Sequence, residues 1–331
     1  MDQPDRIRAV TLHDVAREAG VAVSTVSRAL ANPDRVSERT RAHVRAVAER
    51  LGYRPNLIAR ALPSGRTRML ALLVPDITNP HNVGVVRGAE ARAADADYTL
   101  VLGDGRESPE RELAHTRRLG SAVDGFVLVS SRLPDDDIRT VRARHPVVLF
   151  NRELDDIPSV VTDSADGGRQ TVEHLAGLGH RHLAHLGGPS NAWSDGERWR
   201  GLTGSAERLG VRLTRLGPFS PTVSGGAAAA DAGLGSGATA LVCFNDLLAI
   251  GVLRRLEERG VAVPGQLSVT GVDDVFGTDF CHPPLTTLTS PTEAAGRLLI
   301  DMLLGTSPAE RAVLPTPLHV RESTGPARWT P

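Results

Sequence analysis

Residues 23 to 28 combine short hydroxyl side chains with an arginine, a set of residue types that can contact DNA. Val23, Ser24, Thr25, Ser27 and Arg28 fall on the outer face of a predicted helix. Small side chains let a helix approach base edges closely, and an arginine can donate to guanine O6 and N7 together, so Arg28 is the candidate base reader. Val23 and Ser24 are expected to touch base edges. Thr25 and Ser27 are expected to bind phosphate oxygens, which fixes the register without reading the sequence.

Two short amphipathic helices around a glycine turn would position these residues. Residues at helical spacing form the apolar stripes of the two helices: Leu12, Val15, Ala16 and Ala19 in the first, Val26, Ala29 and Leu30 in the second. Gly20 is placed to end the first helix, Val21 to anchor the crossing, and the second helix is expected to start near Ala22. A third helix is predicted from Ser37, its N-cap, to Leu51. The alternative is an ordinary helical hairpin whose polar face is only solvated.

A very short helix is predicted over residues 57–62, after a break at Pro55 and a cap at Asn56. Helices below about 12 residues are marginal in water on their own. We therefore expect this segment to become ordered only against a partner or a second copy of itself.

Beyond Gly65, short apolar runs alternate with helix-length segments. These runs are residues 69–74, 98–102, 125–129, 147–150, 182–186, 240–244 and 268–272. Such alternation is typical of parallel sheets covered by helices, and so many strands fit two lobes better than one. The polar stretch from Thr162 to Gly168 is the expected first crossing between the lobes.

Polar side chains follow many of these predicted strands. Ligands in open α/β sheets bind beyond the carboxyl ends of the strands, so these residues form the predicted binding site. They are Asn79, His81, Asn82, Ser130, Asn151, Asn245 and Asp273. Amides and carboxylates that converge there favour a polyhydroxylated ligand, a sugar or a nucleoside. Polar loop ends also cap helices, and Asp246 or Asp274 are expected to do only that if they do not contact the ligand.

The chain resembles the lactose repressor and galactose repressor family of transcriptional regulators. The resemblance rests on DVAREAGVAVSTVSRAL, VSERTRAHV and LGYRPNLIARAL near the amino terminus, and on VPDITNP, EHLAGLGHRHLAHLGGP, CFNDLLAIGVLRRL, SVTGVDD and PPLTTL further along. It implies an α/β protein with a helix-turn-helix head over residues 1–53, a hinge helix over 54–65 and a periplasmic-binding-protein-like body over 66–331. Lobe 1 would comprise about 66–162 and 291–321, and lobe 2 about 163–290 and 322–331.

The resemblance also implies a mechanism. Two copies would place their recognition helices in successive major grooves of a pseudo-palindromic operator, with paired hinge helices in the minor groove and Leu62 wedged between central base pairs. The implied DNA contacts add Asn32, Asn56, Ala59 and Leu62 to the five residues of the second helix. Arg198, in ERWRG, matches the arginine that grips the effector in the family. An effector between the lobes would separate the hinges and let them unfold.

Three departures from the family pattern bear on these expectations. His81 and Asn82 stand where two aromatic residues are usual, so Phe219 and Trp193 remain as candidates for stacking on a sugar ring. Ala22 stands where a serine usually caps the recognition helix, a loss of about 1 kcal/mol. Pro63 is expected to end the hinge helix sharply.

Composition agrees with a regulator of two parts. The 331 residues carry a net charge of −1, but residues 1–60 hold 11 arginines against 7 acidic residues, and the chain contains no lysine. The two cysteines suit a reducing compartment, and neither a secretory signal nor a membrane span is visible, so a cytoplasmic location is expected. The end of the chain lacks a heptad tail, which predicts a homodimer and not a tetramer.

Catalysis has little support in the sequence. There is no Gly-x-Ser-x-Gly elbow and no phosphate loop that ends in Gly-Lys. His180, His182 and His185 could suggest zinc, but strand alternation places His185 opposite the other two. We expect no catalytic residues, no metal and no cofactor. The alternative is a small-molecule binding protein or an enzyme of the same body fold with an incidental head.

Overall fold

A computed structural model describes residues 10–31, 36–53 and 66–327, and the chain divides into two compact units, 1–67 and 68–331. The first unit contains α1 (Leu12–Ala19), α2 (Val23–Ala31) and α3 (Glu38–Arg50). Helix α1 starts with a capping box, in which the Thr11 hydroxyl accepts from the Asp14 N–H at 3.3 Å and the Asp14 carboxylate accepts from the Thr11 N–H at 3.0 Å. These three helices form the predicted helix-turn-helix arrangement.

A glycine turn joins α1 to α2. Gly20 adopts a φ of 64°, a left-handed conformation in which glycine carries no steric penalty, and its N–H reaches the carbonyls of Ala16 and Arg17. Small aliphatic residues from all three helices fill the core beneath the turn. They are Val15, Ala16, Ala19, Val26, Ala29, Val44, Val47 and Ala48.

The second unit is an α/β body. In chain order its strands are β1 (Met69–Val74), β2 (Thr99–Asp104), β3 (Phe126–Val129), β4 (Val147–Phe150), β5 (Ser159–Thr162), β6 (His182–Leu186), β7 (Arg212–Leu216), β8 (Ala240–Cys243), β9 (Ser268–Asp273), β10 (Thr286–Thr289), β11 (Arg311–Leu314) and β12 (Leu318–His319). Its α-helices are α4 (Pro80–Asp95), α5 (Pro109–Leu119), α6 (Asp135–Arg142), α7 (Ser164–Gly177), α8 (Trp193–Leu209), α9 (Gly226–Gly235), α10 (Asp246–Glu258) and α11 (Thr292–Leu303).

These strands form two six-stranded sheets, one in each lobe. The first has the order β11-β5-β4-β3-β1-β2 and is parallel throughout, and the second has the order β12-β10-β9-β8-β6-β7 and is antiparallel only between β10 and β12. Both faces of each sheet are covered by helices. Leu70 and Leu72 face α4 and α11, for example, while Ala71 and Leu73 on the same strand face the opposite core. The predicted class, parallel sheets covered by helices, is confirmed.

The chain passes between the lobes three times. It leaves the first sheet after β5, within the stretch 162–168 that was predicted to cross. It returns between β10 and α11, at Ser290. The third passage lies between β11 and β12, at residues 315–317, and not near Arg321. Leu318 already pairs with Leu288 of the second sheet, so the crossing is made by Pro315, Thr316 and Pro317. Every helix in the described part of the chain is too short or too polar to span a bilayer.

Candidate functional site

Helix α2 presents part of the predicted DNA-contacting set to solvent. Ser24, Ser27 and Arg28 are exposed, and Thr25 is half-buried. Val23 differs from the expectation: it is half-buried and packs against the core of the head. Val23 and Val26 are three residues apart and therefore lie on the same side of the helix, which turns Val23 inward.

Two polar contacts join α3 to α1, and the shared apolar core packs α2 against both. His43 Nε2 lies 3.2 Å from the carbonyl of Ala19, and Arg50 pairs with Glu18 of α1 at 2.8 Å. The outer face of α2 is thus presented by a closed three-helix core. The predicted contacts Asn32, Asn56, Ala59 and Leu62, and the predicted hinge helix, lie outside the described residues.

A cleft in the body gathers residues from both sheets at the carboxyl ends of their strands. It encloses about 540 Å³, some of it open to solvent. The first lobe and the crossing contribute Pro75, Asn79, His81, Asn82, Glu107, Ser130, Arg132, Asn151, Thr162 and Ser290, and the second contributes Ser194, Arg198, Pro221, Phe244, Asn245 and Asp273. A cleft between strand ends is where an open α/β sheet binds its ligand.

Eight of the nine predicted effector residues line this cleft, and Phe219 does not. Phe219 packs against the hydrophobic core of the second lobe, and its N–H donates to the Gly187 carbonyl at 3.0 Å. Trp193, the other stacking candidate, is also absent from the cleft wall. Phe244 does line the cleft, and because it directly follows β8 the strand-end rule would have indicated it.

Several of the predicted amides already have structural partners. Asn79 caps α4 through the His81 N–H at 3.1 Å, and Asn82 donates to the Asp76 carbonyl at 2.7 Å. Asn245 caps α10 through the Leu248 N–H at 3.0 Å. Each of these three amides already has a hydrogen-bond partner in the protein, so their main role is to shape the cleft wall.

Strained backbone places three polar residues at the strand ends. Ser130, Asn151 and Asp273 have φ values of 44°, 49° and 114°. Left-handed backbone is uncommon outside glycine and costs of order 1 to 3 kcal/mol. The Asn151 carbonyl oxygen Oδ1 accepts from the N–H of Thr162 at 2.9 Å, which ties the end of β4 to that of β5.

Arg198 is the buried cation of the second lobe. Its guanidinium donates to the Phe244 carbonyl and lies 5.3 Å from the centre of the Phe244 ring. Its Nε atom has no hydrogen-bond partner among the residues that the structure describes. Burial lowers the pKa of Arg198, and the nearby carboxylates, that of Asp273 above all, raise it. A buried donor without an acceptor, inside a cleft, is a group that a ligand oxygen can satisfy.

A second buried cluster holds the helix that carries Arg198. Asp195, one turn earlier on α8, accepts from His185 Nε2 at 2.8 Å and from Arg215 at 2.7 Å. Burial alone raises the pKa of Asp195, but the hydrogen bond and charge of His185, the charge of Arg198 and the hydrogen bond from Arg215 hold that pKa well below its usual range. Asp195 is therefore an anion that fixes α8 against β6 and β7.

Asp273 and His81 approach each other across the cleft. His81 Nδ1 lies 3.1 Å from the Asp273 carboxylate, without the alignment of a hydrogen bond. The imidazole also stacks on the Phe150 ring at 6.1 Å and an interplanar angle of 14°. This residue pair joins α4 of the first lobe to the end of β9 in the second.

Asp246 and Asp274 have structural roles, although not the expected one of capping a helix, because the N-cap of α10 is Asn245. Asp246 is fully buried and accepts from the Thr287 hydroxyl at 2.6 Å and the Val275 N–H at 2.9 Å. Burial, together with the charge of Asp273, raises the pKa of Asp246 well above its usual value. Asp274 pairs with Arg321 at 2.7 Å.

The three histidines of GHRHLAH have separate protein partners. His180 Nδ1 lies 2.8 Å from the Thr239 hydroxyl and His182 Nε2 lies 3.0 Å from that of Thr214, while His185 binds the carboxylate of α8. Across residues 10–31, 36–53 and 66–327, no three His, Cys, Asp or Glu side chains are grouped to hold a metal ion.

Comparison with known proteins gives consistent matches along the chain. Residues 11–56 match the model for bacterial regulatory proteins of the lacI family, and residues 172–324 match the periplasmic binding protein-like domain. The HTH-type transcriptional repressor CytR of Escherichia coli K12 is 33% identical over 310 residues, 90% of this chain and 91% of that protein.

Two solved structures are also similar over most of the chain. The lac repressor dimer bound to operator and the anti-inducer ONPF is 28% identical to this chain, with a TM-score of 0.85. The match covers 96% of this chain and 100% of the repressor chain. The transcriptional regulator CelR in complex with cellobiose is 31% identical with a TM-score of 0.69, and covers 95% and 99%. The resemblance read from the motifs is confirmed. This chain therefore belongs to the lacI family of bacterial regulatory proteins, DNA-binding transcriptional regulators with a helix-turn-helix head and a periplasmic-binding-protein-like body.

Proposed function

We propose that this regulator is a repressor whose operator affinity is controlled by a small polyhydroxylated effector, a sugar or a nucleoside, bound in the cleft between the lobes. The observation that carries this proposal is the buried guanidinium of Arg198, whose Nε has no partner among the described residues, near the carboxylate of Asp273. A donor and an acceptor side by side suit hydroxyl groups, which both donate and accept. The cellobiose bound by the relative CelR supports a carbohydrate.

Operator binding is assigned to the exposed face of α2. Arg28 reads guanine, Ser24 touches base edges, and Thr25 and Ser27 bind phosphate oxygens. We expect a homodimer, and the dimeric lac repressor structure supports this expectation. Because a two-fold symmetric dimer binds two related half-sites, the operator should be pseudo-palindromic. In that assembly the predicted hinge, residues 54–65, links a head (1–53) to a body (66–331) and orders on DNA. A regulator of operator DNA works in the cytoplasm.

An exposed aromatic pair on the body supports self-association. Phe276 and Phe280 are 85% and 60% exposed, and their rings lie 5.1 Å apart, edge to face. Large aromatic side chains that remain in water favour contact with another protein surface. Sedimentation of the full chain should show a dimer that Phe276→Ser with Phe280→Ser weakens.

Gel shifts with DNA flanking the protein's own gene test the proposal. We expect Arg28→Ala to lose about 1 to 3 kcal/mol of discrimination between the operator and a mutated operator. The matched control is Arg39→Ala, which removes an exposed arginine from α3 of the same head. Unchanged discrimination by Arg28→Ala would remove Arg28 as the base reader.

The effector arm of the experiment adds sugars and nucleosides to the same gel shift. The expected result is that one of them changes operator affinity in the wild type and not in Arg198→Gln. An equal response in both would exclude Arg198 from the effector site. Turnover of the added compound without any specific DNA binding would favour the alternative, an enzyme or binding protein with an incidental head.

A further inference from the structure

Arg132 and Glu107 form an ion pair on the first-lobe wall of the cleft, opposite Arg198. Arg132 Nε lies 2.6 Å from Glu107 Oε2, and the Arg132 side chain is only 5% exposed. Both residues line the cleft. Burying a guanidinium is costly even when it is paired, and the hydrophobic cores of the lobe are complete without it. The pair therefore calls for an explanation other than stability.

The loop that carries Arg132 is held from both sides. The Arg132 N–H donates to the buried carboxylate of Glu112 at 2.9 Å. Arg152 donates to the carbonyls on either side, those of Ser131 at 3.5 Å and Leu133 at 3.3 Å. A side chain on such a fixed backbone reaches the cleft with little freedom to rearrange, which lowers the entropy cost of binding.

Glu107 is held in place by strained backbone. Arg106 and Glu107 are consecutive non-glycine residues with φ values of 49° and 56°. The Glu107 N–H donates to the Pro75 carbonyl at 2.7 Å, which fastens this turn to the end of β1. Left-handed conformations at two consecutive non-glycine residues are rare and cluster at binding sites, where the surrounding structure maintains them.

Hydrogen-bonding capacity remains on both partners. A guanidinium has five donor hydrogens, and within the described residues only Nε of Arg132 has an acceptor. Oε1 of Glu107 likewise has no protein donor in that part of the chain. The cleft thus holds a cation with free donors next to an anion with a free acceptor.

Charge balance indicates what the pair would bind. The first lobe contributes Arg132 and Glu107, and the second contributes Arg198 and Asp273, so each wall offers one guanidinium and one carboxylate. A phosphate or carboxylate would meet a carboxylate on either wall, with the repulsion strengthened by burial. A neutral ligand with neighbouring hydroxyl groups meets a donor and an acceptor on each.

We propose that Arg132 and Glu107 form a subsite that grips two neighbouring hydroxyl groups of a neutral effector, with the guanidinium donating to one oxygen and the carboxylate accepting from the other hydroxyl. This subsite rests on the proposed function, because it requires that the cleft holds the effector. It makes the effector span both lobes, with one hydroxyl-bearing end at Arg132 and the other at Arg198.

Thermal-shift screening of the full chain tests the ligand class. The probes are neutral sugars and nucleosides, each set beside its phosphate ester and, for the sugars, the corresponding sugar acid. The expected result is a neutral compound whose charged counterpart binds at least tenfold more weakly by calorimetry. A charged compound as the tighter ligand would overturn the subsite. No shift from any compound would count against the effector cleft itself, and so against the proposed function.

Variants then test the two residues with the strongest neutral compound. Because a hydrogen bond to a charged group is lost, Glu107→Gln and Arg132→Gln should each weaken its binding by about tenfold to a hundredfold. Glu107→Gln also leaves Arg132 without its counter-charge, so the preference for the neutral compound over its anionic counterpart should shrink. A purely structural role would not move that ratio.

Controls separate the subsite from the rest of the cleft. Arg139→Gln breaks an exposed pair with Asp156 in the same lobe and should leave affinity unchanged. If Arg132→Gln does not fold, Arg132→Lys takes its place, because it keeps the positive charge. This variant should still bind the neutral compound less tightly, since a single ammonium group replaces the several N–H donors of the guanidinium. Unchanged affinity in the Glu107 and Arg132 variants, with binding abolished by Arg198→Gln, would overturn the subsite and leave the proposed function standing.

Discussion

Replacing Gly201 with alanine should destabilise the body, although alanine is the better helix former. Gly201 lies on α8 where this helix crosses α7, three residues after Arg198. A Cβ atom at this position would stand 2.1 Å from the carbonyl oxygen of Ala165 and 2.7 Å from its carbonyl carbon. These are backbone atoms, so no rotamer change can relieve the contact, and the two helices must move apart.

The size of the effect follows from two opposing terms. Overpacking of a tight contact costs about 3 kcal/mol when the neighbour is rigid. Alanine returns about 1 kcal/mol over glycine in a helix interior. The net expectation for Gly201→Ala is a loss of about 2 kcal/mol, or a melting temperature lower by roughly 4 to 8 °C for a body of this size.

Gly204 offers a matched control on the same helix. It is exposed, and a Cβ atom there would have nothing within 4 Å. Gly204→Ala should therefore show only the propensity gain, about 0.5 to 1 kcal/mol of added stability. Both variants are compared with the wild type by urea unfolding followed by circular dichroism, and by calorimetric melting.

Opposite signs for the two variants are the expected outcome. If Gly201→Ala were as stable as Gly204→Ala, the helices would not approach as closely as 2.1 Å implies, and the close packing of α7 on α8 would be wrong. Because α8 carries Arg198, the same displacement should weaken effector binding in Gly201→Ala and not in Gly204→Ala.

Three further predictions concern buried titratable groups. Asp195→Asn should cost about 3 kcal/mol at pH 7, because it removes the negative charge that pairs with buried His185 and half-exposed Arg215. Since the pKa of Asp195 is lowered in the folded protein, the difference in stability from wild type, measured by urea unfolding, should shrink below about pH 4. Asp246→Asn should gain stability relative to wild type as pH rises above about 4, the ordinary carboxyl pKa, because the raised pKa of Asp246 makes its ionisation unfavourable in the folded state. Cys243 should resist a thiol reagent until the protein unfolds, and Cys281 should react slowly, because burial raises the pKa of both thiols.

Each of these has a clear contrary result. If the difference in unfolding free energy between Asp195→Asn and wild type stayed unchanged down to pH 3, the charge of the carboxylate would contribute nothing to stability. An Asp246→Asn variant that loses stability towards pH 8 would mean that the ionised carboxylate is the favoured form. Rapid reaction of two thiols in the native protein would contradict the burial of Cys243 beneath α10.

The fold was readable where strands are continuous apolar runs. All seven predicted runs are strands, within two residues at each end. Six of them are central strands of parallel sheets, which are buried on both faces, and the seventh, β2, is an edge strand that keeps an apolar run. The five strands that were missed, β5, β7, β10, β11 and β12, are short or rich in Thr, Ser and Arg. Strand β7, RLTRL, lies at a sheet edge and is nowhere fully buried, so its composition resembles that of a loop.

The candidate site was readable from strand ends but not from side-chain direction. Eight predicted residues meet in the cleft because the carboxyl ends of parallel strands share one edge of each sheet. Phe219 was misplaced because nothing in the sequence shows that its ring turns into the core. Arg132 and Glu107 were overlooked although they follow β3 and β2 closely, since an arginine and a glutamate in a loop ordinarily indicate only a solvated surface. The roles of these residues in binding remain predictions.

The backbone at the strand ends also limits how this binding site could be redesigned. Branched side chains such as valine, isoleucine or threonine are disfavoured at Ser130, Asn151 and Asp273, where φ is positive. Altering ligand preference there is thus restricted to glycine, asparagine, aspartate and a few other small polar types. Larger changes in ligand shape have to come from positions with ordinary backbone, such as Phe244. A library aimed at a new effector should vary positions such as Phe244 and keep Ser130, Asn151 and Asp273 nearly fixed.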